Sequence, residues 1–315
     1  MVFLNKRTNS SIFLIFFISA CQIDNSVNLD DGPQKQVIDE NIRFEKYLSN
    51  QWEQNLKDSP IFASLLGNKN FNQDITSNSI EEFVKNKAKL NKDLINLNSF
   101  NYEKLNSDNK LNYKLKRISL NNSIEAAEYP SYYMSLNQRG GVQSYYETGD
   151  RLVYESKQDY EDWLIRLSKY ADNIANTKTN IEEGLEKGYT QPQLITRQVI
   201  LQIDNILNSE IEDNPYLKIF LSADISFFNE GEKEDLINRA TLLIKSQIIP
   251  AYVDLNNFLK NTYLPNSRSS IGLNGVPEGD KWYEYAARYH TTTNLTPDEI
   301  HDIGLREVLR IRKEM

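Results

Sequence analysis

The 315 residues contain one cysteine and two histidines. One cysteine forms no internal disulfide, and two histidines fall short of a closed Cys/His zinc site. Basic residues are the minority as well, with 36 Lys and Arg against 44 Asp and Glu for a formal charge of -8. That balance disfavours the phosphate-neutralising surface of a nucleic-acid-binding protein, so no nucleic-acid partner is expected. Long apolar runs are missing too, since the stretch Ile12 to Ala20 is well short of the roughly 20 residues a spanning helix requires. Several chemical signatures are absent: HExxH, G-x-S-x-G, the P-loop and the dinucleotide fingerprint. His290 and His301 are separated by Pro297 and cannot share one helix face. No catalytic or metal-ligating residue is therefore assigned in this chain.

What is present begins with an export pattern. Lys6 and Arg7 precede the apolar stretch, and Ile18-Ser19-Ala20-Cys21 is similar to the bacterial lipobox, in which the cysteine is acylated and becomes the first mature residue. The expected organisation is a lipoprotein signal peptide over residues 1–20, lipid attachment at Cys21, a polar tether over 21–34 and a helical domain over 35–315. Removing Lys6 and Arg7 leaves a still more acidic chain, so the acyl chains rather than surface charge would hold it to the membrane. Gln22, in place of Asp, points to the outer membrane, facing the periplasm.

The mature chain reads as all-α and multi-helical with little or no strand. Val37, Ile38, Ile42, Tyr47, Leu48, Trp52 and Leu56 outline one helix face ending at Ser59-Pro60. Ser79 and Glu82 form a capping pattern for a helix to about Leu97. Leu111, Leu115, Ile118 and Ile124 mark another helix, up to Tyr129-Pro130. Asp159 to Lys187 is the clearest amphipathic helix, closing at Gly188, and Pro192 opens a shorter one to about Leu207. Ile225 to Phe228 has strand-like composition. Pro250 inside Glu232 to Leu264 predicts a kinked helix or two abutting ones. Residues 266–279 are loop, and Thr291 to Thr293 could lie extended. Thr296-Pro297-Asp298-Glu299 then starts a helix whose apolar face holds Ile300, Ile303, Gly304, Val308, Ile311 and Met315. That helix has a strong start and no stop signal, from which a continuing polypeptide is expected.

Several segments together carry a resemblance. They are Ser59-Pro60 with Leu66-Gly67, then Tyr160, Trp163-Leu164 and Arg166-Leu167 in a YxxWLxRL-like segment, then Gly184, Gly188 and Pro192. Further on come Pro250-Ala251-Tyr252, Tyr263-Leu264-Pro265, Arg268, Gly272, Gly279, Tyr283 and Thr291-Thr292, followed by Leu295 through His301, Gly304, Glu307-Val308, Ile311 and Glu314-Met315. From about Ser59 to Met315 the chain resembles the bacterial family called domain of unknown function 885. Its members are often lipoproteins and look like zinc metallopeptidases of the helical gluzincin type. The family's usual tyrosine pair is Trp282-Tyr283 here.

The resemblance implies a gluzincin-like helical half-domain and a full-length protein that hydrolyses peptides with zinc. It places the HExxPGHH-like zinc motif in a C-terminal half beyond these residues. The implied partners are a peptide substrate, that C-terminal half, and the membrane through acylated Cys21. Trp282, Tyr283, Tyr285, Thr291, Thr292 and His301 lie on the best-marked segments and are the candidate lining of a substrate cleft. A purely structural use of those threonines and His301, fixing the start of the last helix, is equally open. The alternative function is a non-catalytic cell-envelope lipoprotein that binds a peptide, a glycan or a protein partner.

Overall fold

Helices in this chain start where a short polar side chain meets the free amides of a first turn. Asp39 accepts from the amides of Asn41 and Ile42, Ser79 from Glu82, and Asn106 from Asn109. At Thr296 the bond is returned, because Glu299 also accepts from the Thr296 amide, which completes a capping box. The computed structural model describes residues 39–315; the expected signal peptide, Cys21, the tether, Val37 and Ile38 lie outside the described residues.

From Asp39 the chain runs through α1 (Glu40–Asp58), α2 (Pro60–Leu65), α3 (Ile80–Asn98) and α4 (Ser107–Ala126). After a stretch of short turns come α5 (Tyr146–Arg151), α6 (Lys157–Ser168), α7 (Tyr170–Glu186) and α8 (Gln193–Leu207). The remainder holds α9 (Lys218–Leu221), α10 (Glu232–Leu243), α11 (Ile249–Phe258), α12 (Leu264–Asn266), α13 (Gly279–Thr291) and α14 (Pro297–Glu314). Among the described residues there is no sheet, only isolated bridges between Asn137 and Gly140 and between Pro192 and Arg268. The fold is all-α, as the periodicity predicts.

Two apolar clusters hold it together. The larger joins α6, α7, α8, α10 and α11 around Leu167, Ile174, Ile181, Ile203, Ile248 and Leu255. Each such side chain contributes about 1.5–3 kcal/mol when taken out of water. The smaller cluster ties α1, α3 and α4 through Phe44, Leu97, Tyr113 and Leu120. A polar seam fixes residues 76–78 to α7: Asn78 donates to Asn173 O and Thr177 Oγ1, Asn180 donates to Asn78 O, and Asn173 donates to Thr76 O. Gly184 is required where α7 crosses the turn at Ser131–Met134, because a Cβ there would sit 2.7 Å from Tyr133 Cβ and 2.8 Å from Tyr133 O.

Several local expectations are corrected. On α1 the buried residues are Phe44 and Leu56, while Ile42 and Trp52 face solvent. On α4 the buried residues are Asn109, Tyr113 and Leu120, and Leu111, Leu115 and Ile118 are exposed. Both helices turn toward the small aromatic cluster, so the apolar count of a stripe does not decide which face is covered. The long helix expected over 159–187 breaks into α6 and α7 at Lys169, and Pro192 is the cap of α8 rather than part of its first turn. Ile225–Phe227 is a single 3₁₀ turn held by Asp224, whose side chain accepts from Ser226 N. Thr291 is helical and Thr292 is left-handed, so this run is not extended.

The proline at 250 does not interrupt the helical course of the chain. A π-helical turn at Ile244–Ile248 precedes it, and the Ile249 amide bonds Ile244 O. A second π turn at Leu259–Tyr263 stands immediately before Leu264-Pro265. The wider turn accommodates a ring that cannot donate and would crowd the carbonyl four residues back. One continuous helical rod thus runs from Glu232 to Asn266.

Candidate functional site

The six candidate cleft residues lie on α13, on the turn after it and on α14. The start of α13 is fixed by a close approach, since a Cβ on Gly279 would fall 2.0 Å from Leu273 O. Its end is fixed by Thr292, at φ 54°, whose amide bonds Arg288 O. A β-branched residue in that region stores about 1–3 kcal/mol of strain. Thr291 Oγ1 donates to Ala287 O at 2.7 Å, and Thr293 Oγ1 lies 3.0 Å from it. The two threonines therefore shape the helix end.

Trp282 and Tyr285 are three residues apart and share a face of α13. Both rings pack on Tyr129, with centroids 5.4 Å away in each case. Tyr129 Oη donates to Lys281 O and Tyr285 Oη donates to Asn122 O, both at 3.1 Å. Arg288 pairs with Glu125 one turn further on. Burial pushes the phenols of Tyr129 and Tyr285 above their ordinary acidity range. This face of α13 is a dock onto the end of α4. Tyr289 and Thr292 continue it along a shallow hollow of about 410 Å³ that also touches Ile118.

Tyr283 faces the opposite way. It borders a wider open hollow of about 730 Å³ with Asp280, Glu284, Thr296 and Asp298. His301 lies beyond this rim, exposed on α14, and Glu299 is already held by the Thr296 amide at 2.8 Å and the Thr296 hydroxyl at 3.0 Å. The structure thus groups Trp282, Tyr285 and Thr292 on one side of α13, Tyr283 on the other, and leaves His301 apart from both. Tyr129, Asn122 and Glu125 complete the dock, and sequence reasoning missed them. The only signal was the Tyr129-Pro130 break, which marks a helix end and says nothing about what stacks on it.

Among the described residues no three His, Cys, Asp or Glu side chains are placed to hold a metal ion. His290 stands edge-on to Tyr289 on α13 and is also exposed. These residues do not fit the zinc that the resemblance implies.

A further uncovered surface is apolar. No residue of α14 is buried, and the apolar stripe of Ile303, Val308, Ile311 and Met315 is exposed, as are Leu305 and Leu309. Leu111, Leu115 and Ile118 on α4 are uncovered too.

A family profile described as "Bacterial protein of unknown function (DUF885)" matches residues 60–315. The chain belongs to this family. A search of curated proteins finds no match. Among solved structures, the DUF885 chain is similar to one described as "the putative lipoprotein from Colwellia psychrerythraea", at 18% identity and a TM-score of 0.75. The similarity covers 87% of this chain and 50% of that one. At that identity the likeness establishes the fold. The DUF885 chain described here spans about half the length of the structure it matches.

Proposed function

We propose that this chain is the polypeptide-binding portion of an exported, lipid-anchored protein whose full length resembles a zinc peptidase. The observation that carries the reading is the uncovered apolar stripe of α14, a helix with a complete capping box and no buried residue. Such a stripe is stable in water against another apolar surface, and a polypeptide supplies one. The hollow beside Tyr283 adds the carboxylates of Asp280, Glu284 and Asp298, which suit the amino groups of a peptide. Two kinds of polypeptide meet these faces: the C-terminal half of the same protein and a peptide substrate lying between the halves. Hydrolysis then rests on groups supplied outside these residues, and this chain's own role is to bind and orient.

Export and anchoring are supported by Lys6-Arg7, the apolar stretch to Ala20, and Cys21 as the chain's single cysteine. Incorporation of labelled palmitate should occur in the intact protein and disappear in Cys21→Ser. An outer-membrane location follows from Gln22 and is checked by membrane fractionation.

The central test is binding without turnover. The purified chain should bind fluorescently labelled decapeptides, release no cleavage product and retain far less than one zinc per chain. Val308→Asp, which places a charge on the stripe, should weaken binding about tenfold. Peptide cleavage by this chain, or stoichiometric zinc that survives dialysis, would overturn the reading. An in-frame HExxH helix downstream of residue 315 in the gene separates the peptidase from a lipoprotein that only binds.

A further inference from the structure

Away from α13 and α14, a hollow of about 360 Å³ lies between the turn that follows α2 and the stretch from α5 into α6. Its lining includes Arg151, Lys69 paired with the carboxylates of Glu155 and Asp159, the apolar Leu66 and Val153, and Trp163. Trp163 is 1% exposed, and its Nε1–H has no acceptor among the described residues. Behind Ser64 lies Arg166, fully buried. Its Nη2 donates to Ser64 Oγ at 2.7 Å and to Phe71 O at 2.8 Å, while Nε and Nη1 have no acceptor among the described residues. Buried donors left unpaired are costly, and more so when the group is charged.

The neighbouring carboxylates do not relieve them. Asp159 is engaged by Lys69, the Glu155 amide and Ser156, and Asp162 accepts from Gln73 and Gln158. Arg151 is exposed and makes no ion pair among the described residues, its neighbour Asp150 facing Lys218 instead. Glu155, also on the lining, is paired with Lys69, so the buried atoms left unpaired around the hollow are N–H donors. The lip has a second character: Leu66 is 54% exposed and Val153 71%.

We infer that this hollow binds a small ligand with an oxyanion head, a carboxylate or a phosphate, on an apolar body. The head meets Arg151 on the side of Trp163, and the body lies against Leu66 and Val153. The volume suits a ligand of that size. Nothing in this inference depends on the role proposed for α13 and α14.

The test uses the protein carrying ¹⁵N-labelled tryptophan, with the Trp163 indole resonance identified by its loss in Trp163→Phe. Octanoate should shift that resonance saturably, and octylammonium at the same concentrations should not. Arg151→Gln changes an exposed side chain outside the core and should raise the octanoate Kd about tenfold. Acetate and inorganic phosphate should bind more weakly than octanoate, and equal affinity for either would overturn the assignment of an apolar body. The absence of a saturable shift with octanoate, an equal response to octylammonium, or an unchanged Kd in Arg151→Gln would overturn the site itself.

Discussion

The hydroxyls of Tyr216 and Tyr252 meet at 2.7 Å inside the main core, and Tyr252 donates onward to Val142 O at 2.5 Å. A phenol has one proton, so the bond to Val142 commits that of Tyr252 and makes Tyr216 the donor to it. Tyr252→Phe leaves the buried Tyr216 hydroxyl without an acceptor and takes one of two donors from Val142 O, which keeps the Tyr145 amide, and should cost about 1–3 kcal/mol. Tyr216→Phe leaves the bond to Val142 intact and should cost about 1 kcal/mol. Urea midpoints of the two variants in the opposite order would refute this direction of donation.

The same burial sets an alkaline limit. Desolvation raises the phenols of Tyr216 and Tyr252 well above the ordinary value of 10, and those of Tyr170 and Tyr263 are pushed up to about 12. Raised folded values mean that the unfolded chain loses protons first. Stability from these groups is full below pH 10 and declines as pH rises through the folded values. Tyrosinate absorbance from the core should therefore appear together with the loss of helical circular dichroism. Titration of all tyrosines with the helices intact would count against the buried placement.

Two glycines should respond in opposite directions. Gly184→Ala forces a methyl against Tyr133 and Tyr189 O, and is expected to lower stability by about 1–3 kcal/mol. Gly304 lies in α14 with nothing within 4 Å of the added carbon. Gly304→Ala should strengthen that helix by about 1 kcal/mol, seen as slower amide exchange from Glu299 to Glu314.

Asp159 links the start of α6 to the turn after α2, with Lys69 Nζ 2.8 Å from its carboxylate. Burial pushes its pKa up, but bonds from Lys69, the Glu155 amide and Ser156 outweigh burial and hold it below the ordinary 3.8. Its contribution is present above about pH 3.8 and lost as pH falls through the lower folded value. Asp159→Asn should cost about 1–2 kcal/mol at pH 7, with the gap from wild type closing below pH 4. A gap that stays constant from pH 7 to pH 3 would be inconsistent with this role.

Helix starts were readable because a cap is a local matter of one side chain and the amides two or three residues on, as at Ser79 and Thr296. The buried faces of α1 and α4 were not, because burial depends on neighbours far along the chain. Phe44 is covered by Phe100 and Tyr113, residues that no reading of α1 alone could supply. The passage of Pro250 and Pro265 through a continuous helix depends on the π turns before them, and a periodicity of 3.6 does not foresee that register shift. At the candidate cleft, the aromatic cluster on α13 was visible as a motif. Its division between Tyr129 on one side and an open hollow on the other required the position of α4.

The amino-acid sequence by itself determined the all-α class, the family, the capped helix starts and the absence of a histidine-based metal motif, since each rests on composition, local hydrogen bonding or fixed spacing. Only the tertiary structure decided that Arg166 is buried against Ser64 and Phe71, that Tyr216 and Tyr252 share a hydrogen bond, and that the stripes of α4 and α14 stay uncovered. The physical reason is that desolvation belongs to no residue alone: it is set by which distant surfaces pack together, and an apolar or charged side chain carries the same letter in either environment.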